Sequence, residues 1–368
     1  MHLEKLSLYN FKNYAEAQLE FHGNIHCFLG KNGSGKSNLL DAIYYLSFTK
    51  SAINPSDQQN IQSGESQFRI KGELMKKAAL HEVVCTFQLG QKKVVQEDGQ
   101  ESAKLSDHIG KYPVVLVAPN DIELIWDGSE MRRKFFDSLL SQIDRPYLEN
   151  LIVYSHHLKQ RNSLLRIFSE RGNVDGDMLE AYDEKLVPAG EYIYQKRKEF
   201  MVEFLPLFER DYLFLVGDSR EKVQIDYRSQ LDESDFRVAL RKNLQRDILL
   251  QRTGTGIHRD DFLFTINEGE LKRYGSQGQQ KSFLIGLKLA EFRVVSEKKG
   301  IKPLLLLDDI FDKLDDERIH KLMDLVSDGT FGQLFITDAR HSRSGEILKK
   351  TGVKATIFEI EDGKVRSK

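Results

Sequence analysis

The sequence predicts an α/β protein whose strand-and-helix frame is interrupted by a mainly helical second lobe. Three features carry that expectation. A glycine-rich loop lies between an apolar strand and a helix near the start, a charge-rich helical texture runs from 121 to 253, and strand and helix patterns alternate again from 254 to 368. The chain therefore divides into 1–120 and 254–368, two parts of one α/β lobe, with 121–253 inserted as the second lobe. Its 368 residues suffice for two hydrophobic cores. A formal net charge of −2 means that any nucleic-acid surface must be a local patch. Cys27 and Cys85 are too few for a disulfide framework, and Cys27 reads as a small apolar strand residue. Glu4, Lys5 and Lys12 interrupt the apolar core that a signal peptide needs. No apolar run approaches the ~20 residues that span a bilayer, so a cytoplasmic protein without a membrane partner is expected.

Leu3 to Leu29 read as two short strands around Asn10-Phe11-Lys12-Asn13-Tyr14, the second delivering the loop. Gly30-Lys31-Asn32-Gly33-Ser34-Gly35-Lys36-Ser37 fits G-x-x-x-x-G-K-[ST]. Glycines let several N–H groups converge on one anion, Lys36 brings a mobile charge to the β- and γ-phosphates, and Ser37 offers a hydroxyl to Mg²⁺. Four constrained positions arise by chance in roughly one chain of this length in a hundred. The context narrows this further. Ile25, Cys27 and Leu29 alternate as a strand into the loop, while Leu39, Leu40, Ile43 and Leu46 recur at helical spacing beyond it. A helix from Ser34 or Gly35 would aim its positive end at the phosphates. Together these features imply a nucleoside triphosphate.

Ser51 to Ser66 looks like an exposed loop, and strands are expected at Phe68–Leu74 and Glu82–Leu89. Asp98-Gly99 marks a hairpin turn, and Val114–Val117 reads as a buried strand. Asp137–Ile143, Leu148–Phe168, Met178–Phe204 and Phe236–Leu250 carry apolar positions three and four apart. Local basic runs at Arg132-Arg133-Lys134, at Lys159, Arg161, Arg166 and Arg171, at Lys196-Arg197-Lys198, and at Arg237, Arg241, Lys242 and Arg246 read mostly as solvated helix faces. Trp126, Phe135 and Phe136 read as core, and His156-His157 as surface. Further strands are expected at Phe262–Ile266, Leu304–Leu307 and Leu334–Ile336, with helices over Ser282–Glu297 and Ile319–Val326 and a closing hairpin around Asp362-Gly363.

Leu304 to Leu307 runs directly into Asp308-Asp309. A buried strand ending in an acid sets a charge at the sheet's carboxyl edge, where α/β folds keep ligands. Asp308 suits Mg²⁺, and Asp309 could orient and deprotonate an attacking water. Ser276-Gln277-Gly278-Gln279 stands before the preceding helix and forms a second anion-binding start.

With Phe311-Asp312-Lys313-Leu314-Asp315 after the acids, these residues resemble the ABC ATPases and their Ser-x-Gly-Gln signature. A closer resemblance, running end to end, is to the RecF family in the SMC/Rad50-like branch. It rests on Asn10 to Tyr14, Gly30 to Ile43, Pro119-Asn120-Asp121, Arg132 to Asp137, His258-Arg259-Asp260-Asp261, Ser276 to Lys281, Leu307 to Asp309 and Leu314 to Arg318. Ile257 stands where that family usually has Pro, Ile53-Asn54 where many members carry Arg-Thr, and Asp309 where most ABC enzymes have Glu.

The resemblance implies an ABC-type, SMC/Rad50-like head and a slow, DNA-stimulated ATPase with Lys36 and Asp309 catalytic. ATP would be held by Gly30 to Ser37 together with Ser276, Gly278 and Gln279, and Mg²⁺ by Ser37 and Asp308. It implies an ATP-dependent head-to-tail homodimer on double-stranded or gapped DNA or single-strand junctions. Partners of the RecR and RecO type, RecA loading and the SOS response follow by the same likeness. The alternative is the ATP-binding subunit of another ABC-type machine without a DNA function.

Overall fold

The computed structural model describes residues 1–172, 175–217, 220–310, 315–339 and 354–367, with the backbone alone at Asp316 and Ser367. In chain order, β1 (His2–Phe11), β2 (Tyr14–Glu20) and β3 (Ile25–Leu29) lead into α1 (Lys36–Phe48). β4 (Gln67–Lys76), β5 (Ala79–Gln88), β6 (Val94–Glu97), β7 (Gln100–Glu101) and β8 (Val114–Val117) follow. Next come α2 (Glu123–Trp126), α3 (Ser129–Ile143), α4 (Arg145–Arg171) and α5 (Gly176–Val216), then β9 (Val223–Arg228) and α6 (Phe236–Leu249). β10 (Asp261–Ile266), β11 (Gly269–Glu270), α7 (Leu271–Tyr274) and α8 (Gln277–Lys299) precede β12 (Leu304–Leu307). α9 (Asp316–Ser327), β13 (Leu334–Asp338), β14 (Thr356–Glu361) and β15 (Lys364–Ser367) complete the described chain.

Two compact units result. One comprises Met1–Asp121, Phe214–Gly217 and Leu284–Lys368, and the other Ile122–Leu213 and Asp218–Phe283. The second unit runs past the 253 boundary drawn from sequence texture, because β10 pairs with both β9 and β11 in a three-stranded sheet. Ser276 to Gln279 accordingly fall in that unit.

The first unit holds two sheets, ordered β2-β1-β4-β5-β6-β7 and β15-β14-β3-β13-β12-β8. In the second of these, β14, β3, β13, β12 and β8 are all parallel. Parallel strands are normally covered on both faces, and the leucines of β12 show why the run is unbroken. Leu304 and Leu306 join a core with α1 and the antiparallel sheet, while Leu305 and Leu307 join a core with α8 and α9. Each fully buried leucine contributes about 1.5–3 kcal/mol.

Two sequence expectations change here. Leu3 to Leu29 holds three strands rather than two, since Gly23 (φ 87°) breaks the run and β1 and β2 close a hairpin. The helix read as ending at Phe204 continues to Val216 despite Pro188 and Pro206 within it. Phe208 and Tyr212 on its final turns pack on Phe283, with ring centroids 4.6 and 6.4 Å away. That packing outweighs the helical hydrogen bond that a proline removes.

Candidate functional site

β3 ends at Leu29, deep in its sheet, and the chain turns into the phosphate-type loop at the sheet's carboxyl edge. Gly35 caps α1 at φ 114°, a left-handed conformation, so α1 starts at Lys36 rather than at Ser34 or Gly35. Lys36 is buried, and its Nζ donates to the carbonyls of Gly30 (2.9 Å) and Lys31 (3.0 Å). Ser34 is also buried, and its Oγ has no hydrogen-bond partner among the described residues. A cation folded onto its own loop and an orphan hydroxyl beside it form a cradle ready for an anion. Asn32 and Gly33 lie at the loop's exposed tip with Lys31.

The turn between β1 and β2 supports this loop. Lys12 makes a buried ion pair with Asp41 on α1 at 2.6 Å. Asn13 Nδ2 donates to Ser34 O (3.0 Å), and Tyr14 OH donates to Gly35 O (3.0 Å). Asn10 to Tyr14 carried the resemblance but no role in the sequence reading, and the structure joins them to the loop.

The two acids follow β12. Asp308 Oδ1 accepts from Ser37 Oγ (2.8 Å) and from Thr337 Oγ1 (2.6 Å). Tertiary folding thus brings together a hydroxyl and a carboxylate 271 residues apart, both oxygen groups of the kind that Mg²⁺ takes. Asp309 has φ 47°, and its N–H donates to Thr337 Oγ1 (2.9 Å). A non-glycine residue in this region is uncommon and marks a functional or turn position. Thr337 therefore holds both acids. Sequence reading missed it, although an apolar strand ending in Thr337-Asp338 repeats the pattern of Leu307-Asp308. Residues 311–314 lie outside the described chain, while Asp315 caps α9 by accepting from Arg318 N–H (3.0 Å).

Ser276 and Gln279 form a reciprocal cap on α8. Gln279 N–H donates to Ser276 Oγ (3.2 Å), and Ser276 N–H donates to Gln279 Oε1 (2.8 Å). Gln279 Nε2 also donates to Glu221 Oε1 (2.8 Å), while Gly278 sits in the first turn. Ser276 is exposed at the positive end of a 23-residue helix.

In the second unit several basic residues are not the solvated face expected of them. Arg161 is buried against Asp183 (2.8 Å), Asp247 (3.0 Å) and Thr253. Arg197 is buried against Asp137 (2.8 Å), Asp260 (2.9 Å) and the Ile257 carbonyl (3.0 Å). Arg132 pairs with Asp261 at 2.8 Å. His258 donates from Nε2 to Thr253 O (2.9 Å) and accepts at Nδ1 from Tyr154 OH (2.7 Å). Burial pushes its imidazole down to about 4, which favours the neutral form that these two hydrogen bonds require. Trp126 is half exposed rather than core, with the Lys272 ammonium 5.8 Å from its ring, whereas Phe135 and Phe136 are buried. A cleft of about 440 Å³ is lined by Arg133, Lys134, Lys159, Arg166, Leu158 and Tyr154, among others. Among the described residues no cluster fit for a metal forms around His156-His157, and no helix is long and apolar enough to cross a membrane.

A phosphate-type loop, a parallel sheet with paired acids at its carboxyl edge and an antiparallel sheet sharing its core define an ABC-type ATPase head. The sequence model of the RecF/RecN/SMC N terminal domain matches residues 2–357. A solved Smc head from Pyrococcus furiosus shares the fold, with a TM-score of 0.57 at 16% identity over 100% of this chain and 96% of that one. A solved structure of the recombination mediator protein RecF with ATP aligns at TM-score 0.89 and 31% identity, over 100% of this chain and 97% of that one. DNA replication and repair protein RecF of Flavobacterium johnsoniae is 48% identical over 98% of this chain and 100% of its own length. The corresponding protein of Cytophaga hutchinsonii is 44% identical over 99% and 96%. The chain belongs to the RecF family of DNA replication and repair proteins.

Proposed function

We propose that the chain binds Mg-ATP at Gly30 to Ser37 with Asp308 and uses it to close a head-to-tail homodimer on DNA. The observation that carries this reading is the 2.8 Å hydrogen bond from Ser37 to Asp308 beside the orphan Ser34 hydroxyl. The residues fit the group. Lys36 would exchange the Gly30 and Lys31 carbonyls for phosphate oxygens, the Gly35 and Lys36 N–H groups would face the anion, and Ser37 and Asp308 would hold Mg²⁺. Bound Mg²⁺ would neutralise charge developing on the phosphates. Asp309 would orient water and accept its proton. As a side chain one methylene shorter than Glu, it suits slow turnover.

Ser276, Gly278 and Gln279, at the positive end of α8, would address the γ-phosphate held by a second copy. Nucleotide then acts as interface glue, and its hydrolysis releases the dimer. The relative solved with ATP supports the nucleotide assignment. Lys159 and Arg166 line the cleft of the second unit and support a salt-sensitive, sequence-independent contact with duplex or gapped DNA. Family membership supports a cytoplasmic role with RecR- and RecO-type partners in RecA loading and the SOS response.

The test is fluorescence anisotropy of a labelled duplex at two salt concentrations, with and without Mg-ATP, beside ultracentrifugation for the dimer. ATP-dependent binding should vanish in Lys36→Ala. Ser276→Arg should bind ATP yet stay monomeric, and normal dimerisation of that variant would refute the composite site.

A further inference from the structure

The last described residues of the chain lean on the phosphate loop from behind. β14 runs parallel to β3, with Phe358 opposite Phe28 and Glu359 opposite Leu29, so Ile360 arrives beside Gly30. A Cβ on Gly30 would lie 2.2 Å from the Ile360 carbonyl oxygen. The first glycine of the motif is thus demanded by the backbone of β14, and Gly30 is not among the residues with positive φ. At the turn into β15, Gly363 (φ 75°) donates its N–H to Ser34 O (3.1 Å). A Cβ there would meet Asn13 O at 2.3 Å. Asn13 in turn donates from Nδ2 to the same Ser34 carbonyl (3.0 Å) and accepts from Asn38 Nδ2 (2.7 Å).

Peptide geometry converts this contact into function. In a trans peptide the carbonyl of one residue and the N–H of the next lie in one plane and point in opposite directions. Two donors on Ser34 O, from the β1–β2 turn and from the C-terminal hairpin, therefore aim the Gly35 N–H the other way. Tyr14 OH on Gly35 O does the same for the Lys36 N–H. Those are the donors at the start of α1, where its partial positive charge is concentrated.

We infer that the C-terminal hairpin is a working part of the nucleotide site, with Gly363 and Asn13 as positioning residues that orient the phosphate loop through the Ser34 carbonyl. Gly363 lies beyond residue 357, where the match to the family's sequence model ends. The inference rests on the nucleotide reading above. It predicts that a change more than three hundred residues from the loop in sequence alters phosphate affinity without removing any group that touches the ligand.

The experiment measures the Kd of a fluorescent ATP analogue with Mg²⁺ for the full chain, for Gly363→Ala, for Asn13→Asp and for the double variant, with thermal unfolding of each. Asn13→Asp keeps the side chain's shape but replaces the donor to Ser34 O by an oxygen. Each single change should weaken binding about tenfold, the worth of roughly one hydrogen bond to a positioned carbonyl plus the displacement it causes. The double variant should lose little more than the worse single one, because both act on one carbonyl. A merely structural hairpin would lower the unfolding temperature and leave the Kd of the folded protein unchanged, and that result overturns the inference. Fully multiplicative losses would overturn the shared carbonyl route. If Gly363→Ala does not fold, Asn13→Leu, which removes the same donor to Ser34 O without adding a charge, decides by the same criterion. Failure of the unaltered chain to bind the analogue would instead sink the nucleotide reading itself.

Discussion

Replacing Thr337 by valine isolates what holds the two acids in place. The side chain is fully buried, donates to Asp308 Oδ1 at 2.6 Å and accepts from the Asp309 N–H at 2.9 Å. A hydrogen bond to a charged group is worth about 1.5–3 kcal/mol and a neutral one about 0.5–1.5 kcal/mol. Asp308 keeps its bond from Ser37, so the first loss is partial, whereas the Asp309 N–H loses the Thr337 Oγ1 acceptor to which it donates. Thr337→Val should therefore cost about 2–4 kcal/mol of stability in the first unit. With a urea slope near the top of the usual range, about 3 kcal/mol per M, the midpoint falls by roughly 1 M. Thr337→Ser separates hydroxyl from packing, since it keeps both hydrogen bonds and gives up one buried methyl, about 1 kcal/mol. The paired assay is urea unfolding followed by circular dichroism, beside steady-state phosphate release with ATP. Turnover should fall at least tenfold in the valine variant and stay within about twofold in the serine variant, since each ~1.4 kcal/mol of lost positioning is tenfold in rate. A valine variant as active and as stable as the original protein, with serine the worse of the two, would show that Thr337 only fills space.

Two other outcomes follow from buried charge. Arg197→Met removes the guanidinium shared by Asp137, Asp260 and the Ile257 carbonyl, and urea unfolding should show a loss of about 3–5 kcal/mol because Asp260 stays buried, and Asp137 partly buried, without it. Arg197→Lys should recover little, as one ammonium cannot reproduce the fork, and full recovery would argue against this geometry. Glu291 is buried 3.5 Å from Lys288, which also lies 3.4 Å from Asp121, and burial pushes its carboxyl up to about 7 from 4.5. The folded state then binds the proton more tightly than the unfolded state. This contribution is fully present below pH 4.5 and is lost as pH rises through about 7. Thermal melts of Glu291→Gln from pH 5 to 8 should show a flatter slope than the original chain, and an unchanged slope would exclude Glu291 as its source.

Much of the proposed nucleotide site lies in stretches whose sequence signals are local. Gly30 to Ser37 must alternate glycine with anion-binding groups over a few residues, and Leu304 to Asp309 must be apolar on both faces before it turns polar at the sheet edge. Such constraints act between neighbours in the chain, so strand, loop, helix and paired acids could be read in order. The amphipathic pattern likewise located the long helices, though not their ends. α5 outran its expected end because Phe283, distant in sequence, covers its last turns.

What only the tertiary structure decided are the long-range pairings. Arg161 and Arg197 look like the other cations of a charged helix until Asp247, 86 residues on, and Asp260, 63 residues on, are folded against them. A cation carries no mark of whether water or a carboxylate will face it, because both satisfy its charge and only packing excludes the water. Thr337 and Gly363 belong to the same group. Each is an ordinary strand-end or turn residue by its neighbours, and each acquires its role from a backbone or carboxylate brought within hydrogen-bond reach by parallel strand order. Local sequence marked the groups proposed to bind phosphate and magnesium, and the fold decided which other groups hold them still.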